Sequence, residues 1–435
     1  MLRLLPLILI LCGCAASQQN EADVRLQVET FEKVWSTVKE KHFDPSQLED
    51  SKRGLSWEAL HGEFRPLVEK ATSMDETRQL LRRMIGKLGL SHFQIIGVDI
   101  YRDLDAGPGG DGRIGVEAAV IDGKAYIFSV EPGSPAALMG VKPGWRIVQA
   151  GGREVDTVLA KIALTKDHPL RIPSTQRGFL LSRLSAMVGD EVALELEDGA
   201  GKLQQISVKC EPAKGAATKF GFMPAIPVWM EFQRKQTSTN QTVGVFKFNL
   251  FLDPPKLINE VQKALAACAR CGGFVIDIRG NPGGIGALAM GLGGFFVSEP
   301  GLQLGQMVRR DMNLNFILNP RMPGFAGPLA ILVDGSSGST SEIFAGGMQD
   351  VKRARIFGSR TMGAALPSVV EKLPNGDGFQ YAVANYISQG GRTLEGYGVV
   401  PDETVTLTRE SLLTGRDPVL DAALNWMNAQ KTPAR

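Results

Sequence analysis

The spacing of apolar residues changes twice along the chain, and each change predicts a different kind of structure. From Val24 to Gly97 apolar positions recur every three or four residues, which predicts helices. From Arg113 to about Pro212 short apolar runs alternate with Gly and Pro, which predicts strands and turns. From Val243 onward apolar runs alternate with amphipathic stretches. This last pattern predicts a largely parallel sheet with crossover helices.

The bounds of the predicted elements can be read from the same pattern. In the middle of the chain we expect a helix at Ser134 to Met139 and strands at Ile114 to Ile121, Ala125 to Val130, Arg146 to Ala150 and Glu191 to Leu196. In the last part we expect helices at Pro254 to Ala267, Ile285 to Phe296 and Ser339 to Gln349, and strands at Val243 to Phe248, Phe274 to Ile278 and Leu329 to Val333.

Length and charge narrow the possible functions. A chain of 435 residues is long enough for two or three domains, each with its own core. Its 48 Lys and Arg nearly balance 46 Asp and Glu, and the basic residues form no dense run, which argues against nucleic acid as a partner. Four His and no second Cys pair make a zinc site improbable, so we expect no metal and no cofactor.

The N-terminus has the layout of an export signal. Arg3 precedes the apolar run Leu4 to Leu11, which is too short to span a bilayer. The run ends in Leu11-Cys12-Gly13-Cys14, which resembles a bacterial lipobox, so Cys14 is the expected lipidation site and mature N-terminus. The alternative is an ordinary cleaved signal with an incidental cysteine. With lipid on Cys14, the polar stretch Ala15 to Asp23 is the expected tether.

The cysteines of the mature chain leave one question open. Cys268 and Cys271 are separated by two residues, and they form either a small disulfide in an oxidising compartment or two half-buried thiols at a helix end.

The middle part of the chain resembles a PDZ domain. Arg113-Ile114-Gly115-Val116 is similar to the carboxylate-binding loop, and Pro132 to Ala137 followed by Val141 to Gly144 is similar to the helix and turn of the bacterial form. The resemblance implies that Ile114, Gly115 and Val116 bind a peptide terminus, with the following strand open to β-augmentation. The alternative is a small β domain that binds no ligand. Trp145 replaces the usual Asp after Gly144.

Two turns at the ends of predicted strands carry candidate chemistry. Asp277-Ile278-Arg279-Gly280-Asn281-Pro282-Gly283-Gly284 is one, and Gly335 to Ile343, rich in Ser and Thr, is the other. Ligand sites in parallel α/β sheets lie at such strand ends. Serine and threonine also cap helices without any catalytic role, so the second turn alone does not establish an active site.

Together these turns resemble the tail-specific (C-terminal processing) serine peptidases. The first is similar to the family's D-x-R-x-N-x-G-G segment and Ser337 to Asp350 to its serine segment, and the similarity continues through Thr361-Met362-Gly363 and Glu395 to Asp402. The resemblance implies a crotonase-like α/β core. It also implies that Ser339 is the nucleophile and that the oxyanion hole consists of the N–H of Thr340 with that of Gly283 or Gly284, of which we favour Gly284.

One departure from the family changes the expected mechanism. The lysine that follows T-x-G in Ser-Lys members is Ala364 here, so another base must activate the serine. The segment around His92 resembles the histidine segment of tricorn-like Ser-His members, which implies that His92 is the base. The resemblance also implies that Glu395 is the carboxylate of the triad and that Ser91 relays between Glu395 and the imidazole. The alternatives are a structural histidine at a domain junction for His92 and an exposed loop residue for Glu395.

The sequence thus predicts a lipoprotein signal at 1–14, an N-terminal helical domain at 15–104, a PDZ domain at 105–212 and a tail-specific protease core at 213–435. The predicted function is an exported serine endopeptidase that cleaves polypeptides near unstructured C-termini. The expected location is the periplasmic side of the bacterial envelope, on the outer membrane through a lipid anchor. The alternative is an inactive peptidase homologue that binds a peptide or another ligand.

Overall fold

The computed structural model describes residues 8–97, 110–165, 168–219 and 225–430, with side chains from Glu21 onward. The chain forms two compact units. The first combines Met1–Asp99, Arg309–Asp311 and Leu366–Ala384, and the second contains the remainder. Most of the boundary predicted near Asp105 to Gly112, and the side chain of Cys14, lie outside what is described. Within the described ranges, no helix is long and apolar enough to cross a membrane.

Three helices build the first unit, as the spacing of apolar residues predicts. They are α1 (Ile8–Lys41), α2 (Trp57–Glu69) and α3 (Met74–Gly86), with a 3₁₀ turn at Pro45–Leu48 and a short strand pair at Glu49–Asp50 and Leu55–Ser56. The side chains of Ser56 and Ser73 accept N–H groups at the starts of α2 and α3, which fixes where these helices begin. Helix α1 begins before the predicted tether, Ala15 to Asp23, and continues through it.

A late segment of the chain completes the first unit. Strands Ser368–Lys372 and Gly378–Ala382 form an antiparallel sheet with Gln94–Ile96. Leu373 and Phe379 are buried in the same apolar core as the helices. The predicted core domain at 213–435 included this segment, because its apolar pattern does not reveal which partner covers it.

The middle segment, residues 110–212, forms an antiparallel sheet in the second unit. Its strand order is Leu203–Lys209, Glu191–Glu197, Arg146–Ala150, Lys124–Val130 and Val116–Ile121, with Arg153–Glu154 beside the third strand. Its helices are α4 (Pro135–Leu138), α5 (Val155–Ala163) and α6 (Ile172–Arg183), and a 3₁₀ turn at Pro169–Arg171 leads into α6. Strand Val116–Ile121 lies at the sheet edge. The name PDZ stays a prediction for this segment.

The remainder of the second unit is built on a mostly parallel sheet. The strand order is Met230–Gln236, Thr242–Phe248, Gly273–Asp277, Leu329–Val333, Arg355–Gly358 and Glu403–Thr404, with only the first pair antiparallel. The helices are α7 (Pro254–Ala267), α8 (Ala287–Gly293, continued as a 3₁₀ turn to Phe296), α9 (Thr340–Asp350), α10 (Arg409–Leu413) and α11 (Pro418–Asn428). The predicted parallel sheet with crossover helices is therefore observed, and its central strands are fully buried.

Smaller strand groups surround this sheet. They are Asn313–Leu318, Leu302–Val308 and Asn385–Ser388; Glu211–Pro212, Gly112–Arg113 and Ser185–Ala186; and Ala216–Thr218 with Ile226–Val228. At the end of α7, Cys268 and Cys271 form a disulfide, which resolves the alternatives left open by the sequence. Cys210 is a buried free thiol.

Candidate active site

Two backbone turns lie side by side at one edge of the parallel sheet. Strands Gly273–Asp277 and Leu329–Val333 pair in parallel, so the turns that follow them emerge at the same edge. The Asn281 carbonyl accepts the N–H of Gly338 at 3.1 Å and the hydroxyl of Ser341 at 2.8 Å. These bonds fix the two glycine-rich turns to each other.

Ser339 has a strained backbone conformation at the start of α9. Its φ of 52° and ψ of −118° lie where side chains other than glycine are rarely found. The neighbouring hydroxyls are committed, because those of Ser337, Thr340 and Ser341 each donate to a backbone carbonyl at 2.8 Å. Ser339 is half-buried; its side-chain oxygen accepts the N–H of Glu342 in a capping box, and no bond in which its hydroxyl donates is found in the described part of the chain. It is therefore the accessible hydroxyl at a strained strand-to-helix turn.

Backbone N–H groups beside Ser339 divide into committed and uncommitted donors. The N–H of Gly283 donates to the Asn281 side-chain oxygen at 3.0 Å. The N–H groups of Gly284 and Thr340 have no acceptor among the described residues. The Thr340 hydroxyl donates to the Gly284 carbonyl at 2.8 Å, which ties the two residues together. Two free donors held by one bond form the type of arrangement that stabilises a developing oxyanion.

Both glycines in this turn are required by close backbone approach. A Cβ on Gly283 would lie 2.7 Å from the Cβ of Ser339, and one on Gly284 would lie 2.3 Å from the Phe251 carbonyl oxygen. Their φ angles of 105° and 139° are also unfavourable for other residues. The turn therefore admits no side chain on the face that meets Ser339.

Glu342 holds the serine turn through four hydrogen bonds. One carboxylate oxygen accepts from the Thr361 hydroxyl at 2.5 Å and the Gly363 N–H at 2.8 Å. The other accepts from the N–H of Ala364 at 2.9 Å and of Ser339 at 3.1 Å. Burial raises the pKa of Glu342 to about 7 although these donors oppose the rise. The side chain thus joins the Ser339 turn to the Thr361–Ala364 segment.

Ala364 occupies the position of the missing lysine and leads to Glu395. Its carbonyl accepts the Ser339 N–H at 2.8 Å, and its own side chain is 5% exposed. The next residue, Ala365, donates its N–H to Glu395 at 3.1 Å. Arg171 of the middle segment donates to the other Glu395 oxygen at 2.7 Å. Glu395 is therefore a buried, ion-paired carboxylate rather than an exposed loop residue.

Arg279 shapes the other turn through two carboxylates. Its guanidinium donates to Asp277 at 2.9 and 2.6 Å and to Asp417 at 2.9 and 2.7 Å. Burial of the Asp277 carboxyl opposes ionisation, but the adjacent guanidinium prevails and lowers its pKa. This pair fixes the entry to the turn that carries Gly283 and Gly284.

Ser91 and His92 belong to the first unit. The Ser91 hydroxyl and His92 Nδ1 are 2.7 Å apart, and His92 has a left-handed backbone with φ of 59°. Phe93 stacks on His42, whose pKa falls to about 4 because its ring is fully buried. His61 lies 3.0 Å from Glu32 and is committed to that pair.

The predicted peptide-binding loop borders a cavity of about 840 Å³. Gly115 and Val116 line it, and the buried Ile114 holds the loop through a carbonyl that accepts the Ala136 N–H at 3.0 Å. Asp277 and Arg279 also line the cavity, whereas Ser339 does not. The cavity therefore adjoins the turn that carries Gly283 and Gly284 without including Ser339.

Three residues of the site were not identified from the sequence as functional. Glu342 was assigned only to the first turn of a helix, and Arg171 and Asn281 received no role. The glutamate was detectable in principle, since it follows Ser339 by three residues, the spacing of a helix capping pair. Arg171 gave no local signal because its partner Glu395 is 224 residues away.

Two family models match parts of the chain. Residues 242–405 match the model described as peptidase family S41, and residues 28–86 match the C1 domain of tricorn protease. The two matches cover the α1–α3 region and most of the parallel sheet with its turns.

Individual relatives are distant but cover most of the chain. A tricorn protease homolog 2 of Streptomyces coelicolor is 24% identical across 91% of this chain, which spans only 32% of that longer protein. A carboxyl-terminal-processing protease of Picosynechococcus sp. is 24% identical across 89% of this chain and 83% of its own length.

Two solved structures have folds similar to that of this chain. The photosystem II D1 C-terminal processing protease has a TM-score of 0.58 at 21% identity, covering 94% of this chain and 98% of its own. Mature CPAF has a TM-score of 0.62 at 13% identity, covering 94% and 96%. The chain thus contains a region that matches the peptidase S41 model, preceded by a segment that matches the tricorn C1 model. It is a serine-type peptidase, a hydrolase, and is similar to the carboxyl-terminal-processing proteases.

Proposed function

We propose that this protein is a serine endopeptidase in which Ser339 attacks the scissile carbonyl and forms an acyl-enzyme. The observation that carries the proposal is the pairing of a strained, accessible serine with the uncommitted N–H groups of Gly284 and Thr340. Those two donors stabilise the oxyanion. Gly283 is required because it has no side chain, and its N–H is not an oxyanion donor because it is already bonded to Asn281.

His92 is the proposed general base. Ala364 supplies no amine, and an unassisted serine hydroxyl is a weak nucleophile near neutral pH. If His92 Nδ1–H donates to Ser91, as their 2.7 Å separation allows, Nε2 keeps the lone pair needed to accept the Ser339 proton. The imidazole then returns that proton to the leaving amine. Glu395, acting through Ser91, stabilises the imidazolium and completes the proposed Ser-His-Glu triad.

The proposed substrates are unstructured polypeptide ends. Relatives named carboxyl-terminal-processing proteases support this substrate class. The middle segment, proposed as a PDZ domain, holds a peptide terminus at Ile114, Gly115 and Val116, where an edge strand is open to augmentation. The lipobox-like sequence supports an outer-membrane lipoprotein on the periplasmic side, anchored through Cys14.

Peptide hydrolysis by purified variants tests the proposal. Ser339→Ala should abolish turnover of an unfolded polypeptide while the protein unfolds at the same temperature as wild type. His92→Ala should lower kcat by about 10³-fold or more. The matched control is His61→Ala. Because His61 is paired with Glu32, its replacement should leave kcat within about twofold of wild type. Full activity in the Ser339 or His92 variant contradicts the proposed triad.

A second candidate function is peptide or ligand binding without catalysis. The observation that favours it is the cavity of about 840 Å³, bordered by the predicted carboxylate loop and not by Ser339. A binding protein of this kind would retain a bound peptide intact. Mass spectrometry of a peptide after incubation therefore separates the two functions, since the peptidase yields new termini and the binding protein does not.

A further inference from the structure

One stretch of the middle segment lies against the turns of the candidate active site. A Cβ on Gly363 would lie 3.1 Å from the Leu170 side chain, and one on Gly335 would lie 2.8 Å from Pro173. Further along α6, the guanidinium of Arg177 would lie 2.8 Å from a Cβ on Gly280. Residues 168–177 thus contact three loops, each of which contributes to the surroundings of Ser339.

Within this stretch, Arg171 makes the one ion pair to a proposed triad member that we find among the described residues of the second unit. Its terminal nitrogen donates to Glu395 at 2.7 Å, and the two side chains are 21% and 9% exposed. Partial desolvation strengthens such a contact relative to an exposed pair. The pair is therefore expected to restrict the Glu395 carboxylate.

The second Glu395 oxygen completes a short connection to the nucleophile. It accepts the Ala365 N–H at 3.1 Å, and the carbonyl of the preceding Ala364 accepts the Ser339 N–H at 2.8 Å. With both oxygens held, one from the middle segment and one from the core, the carboxylate has a defined orientation. Losing Arg171 removes one of these two constraints on the orientation of the carboxylate.

We propose that Arg171 is a positioning residue that orients Glu395 for catalysis, so that efficient turnover requires the middle segment in this docked position. The inference rests on the proposed peptidase function and adds a residue outside the S41 region to it. Arg171 touches neither substrate nor the reacting atoms. Its effect is on how well Glu395 supports the base, and it therefore acts on kcat more than on KM.

The test uses the full mature chain and an internally quenched peptide with a free C-terminal carboxylate. Arg171→Gln should lower kcat by about 10- to 100-fold while KM changes by less than about threefold. Arg171→Lys should retain kcat within about fivefold, because a single nitrogen makes the contact and lysine keeps the charge. The matched control is Arg153→Gln, an exposed arginine of the same segment, which should match wild type.

A double variant shows whether the effect passes through Glu395. In a Glu395→Gln background, adding Arg171→Gln should change kcat by less than about twofold, because the group it orients has already lost its charge. An unchanged kcat in Arg171→Gln overturns the inference, as does a loss that is equally large with and without Glu395. If Arg171→Gln does not fold, Arg171→Lys and Arg171→Met are compared instead. Wild-type activity in Arg171→Lys together with a full loss in Arg171→Met supports the inference. Equal losses in these two variants overturn it.

Failure of the proposed function gives a different result. Wild-type hydrolysis that survives Ser339→Ala means that the triad assignment is wrong, whatever the Arg171 variants do. Hydrolysis that depends on Ser339 and His92 but not on Arg171 means that only the positioning role is wrong.

Discussion

Replacement of Glu342 by glutamine separates the stability of the active-site turn from its activity. Burial raises the pKa of this carboxyl from 4.5 to about 7, so the folded protein holds its proton more tightly than the unfolded chain does. The tighter binding of this proton stabilises the folded state, and that stabilisation is fully present below about pH 4.5 and is lost as the pH rises to about 7. The raised pKa corresponds to about 3 kcal/mol at pH values above 7.

Glutamine resembles the protonated acid and carries no charge to bury. Glu342→Gln should therefore gain about 2–3 kcal/mol on wild type between pH 5 and pH 8, in addition to a pH-independent loss from the donors that the amide does not accept. Activity should move the other way. The amide NH₂ cannot accept two of the four donors that the carboxylate accepts, so the Ser339 turn is less well fixed and kcat falls by about 10- to 100-fold.

Urea unfolding near pH 5 and near pH 8, with peptide hydrolysis measured in parallel, checks both halves. Glu410→Gln is the matched control, since Glu410 is an exposed glutamate at the start of α10, and its kcat should match that of wild type. A difference in stability between Glu342→Gln and wild type that is the same near pH 5 and near pH 8 refutes the argument that burial dominates this carboxyl. Unchanged kcat refutes its role in the turn.

Three further predictions follow from contacts described above. Gly284→Ala should lower kcat by about 10²- to 10³-fold in the peptide hydrolysis assay, through its effect on the oxyanion donor. Gly301→Ala is the control: Gly301 also has a positive φ but lies in open space, so kcat should be unchanged. Asp377→Asn should lower the free energy of unfolding by about 3–5 kcal/mol, because the buried Arg78 loses its buried charge partner. Asp75→Asn, at the exposed partner of Arg78, should cost less than about 1 kcal/mol in urea titrations. Cys14→Ser should move the protein from the membrane to the soluble fraction on ultracentrifugation, and unchanged fractionation contradicts the lipid anchor.

The elements of the parallel sheet were predictable because their signals are local. Helix Pro254–Ala267 and strand Leu329–Val333 have the bounds that the apolar pattern predicted. Strand ends in such a sheet also predict where loops converge, which is why the turns at Gly283 and Ser339 were found together. What these residues do was suggested by resemblance and not by the pattern.

Long-range pairings were not predictable from the same signals. Residues 366–384 form strands whose partner, Gln94–Ile96, lies far away in sequence, and no pattern within either segment identifies the other. Arg171 and Glu395 likewise make their contact across 224 positions. Helix α6 was missed because its first turn contains Pro173, which suits a helix start but is read as a turn signal in an isolated sequence.

Reaction with a serine-directed fluorophosphonate tests the central assignment most directly. The mature wild-type chain should gain one adduct, and peptide mass spectrometry should locate it on Ser339, because an activated serine beside free oxyanion donors is what this reagent selects. Ser339→Ala should not react, and His92→Ala should react far more slowly. Wild-type protein that takes up no label, or an adduct on another serine that persists in Ser339→Ala, contradicts a His92-activated Ser339.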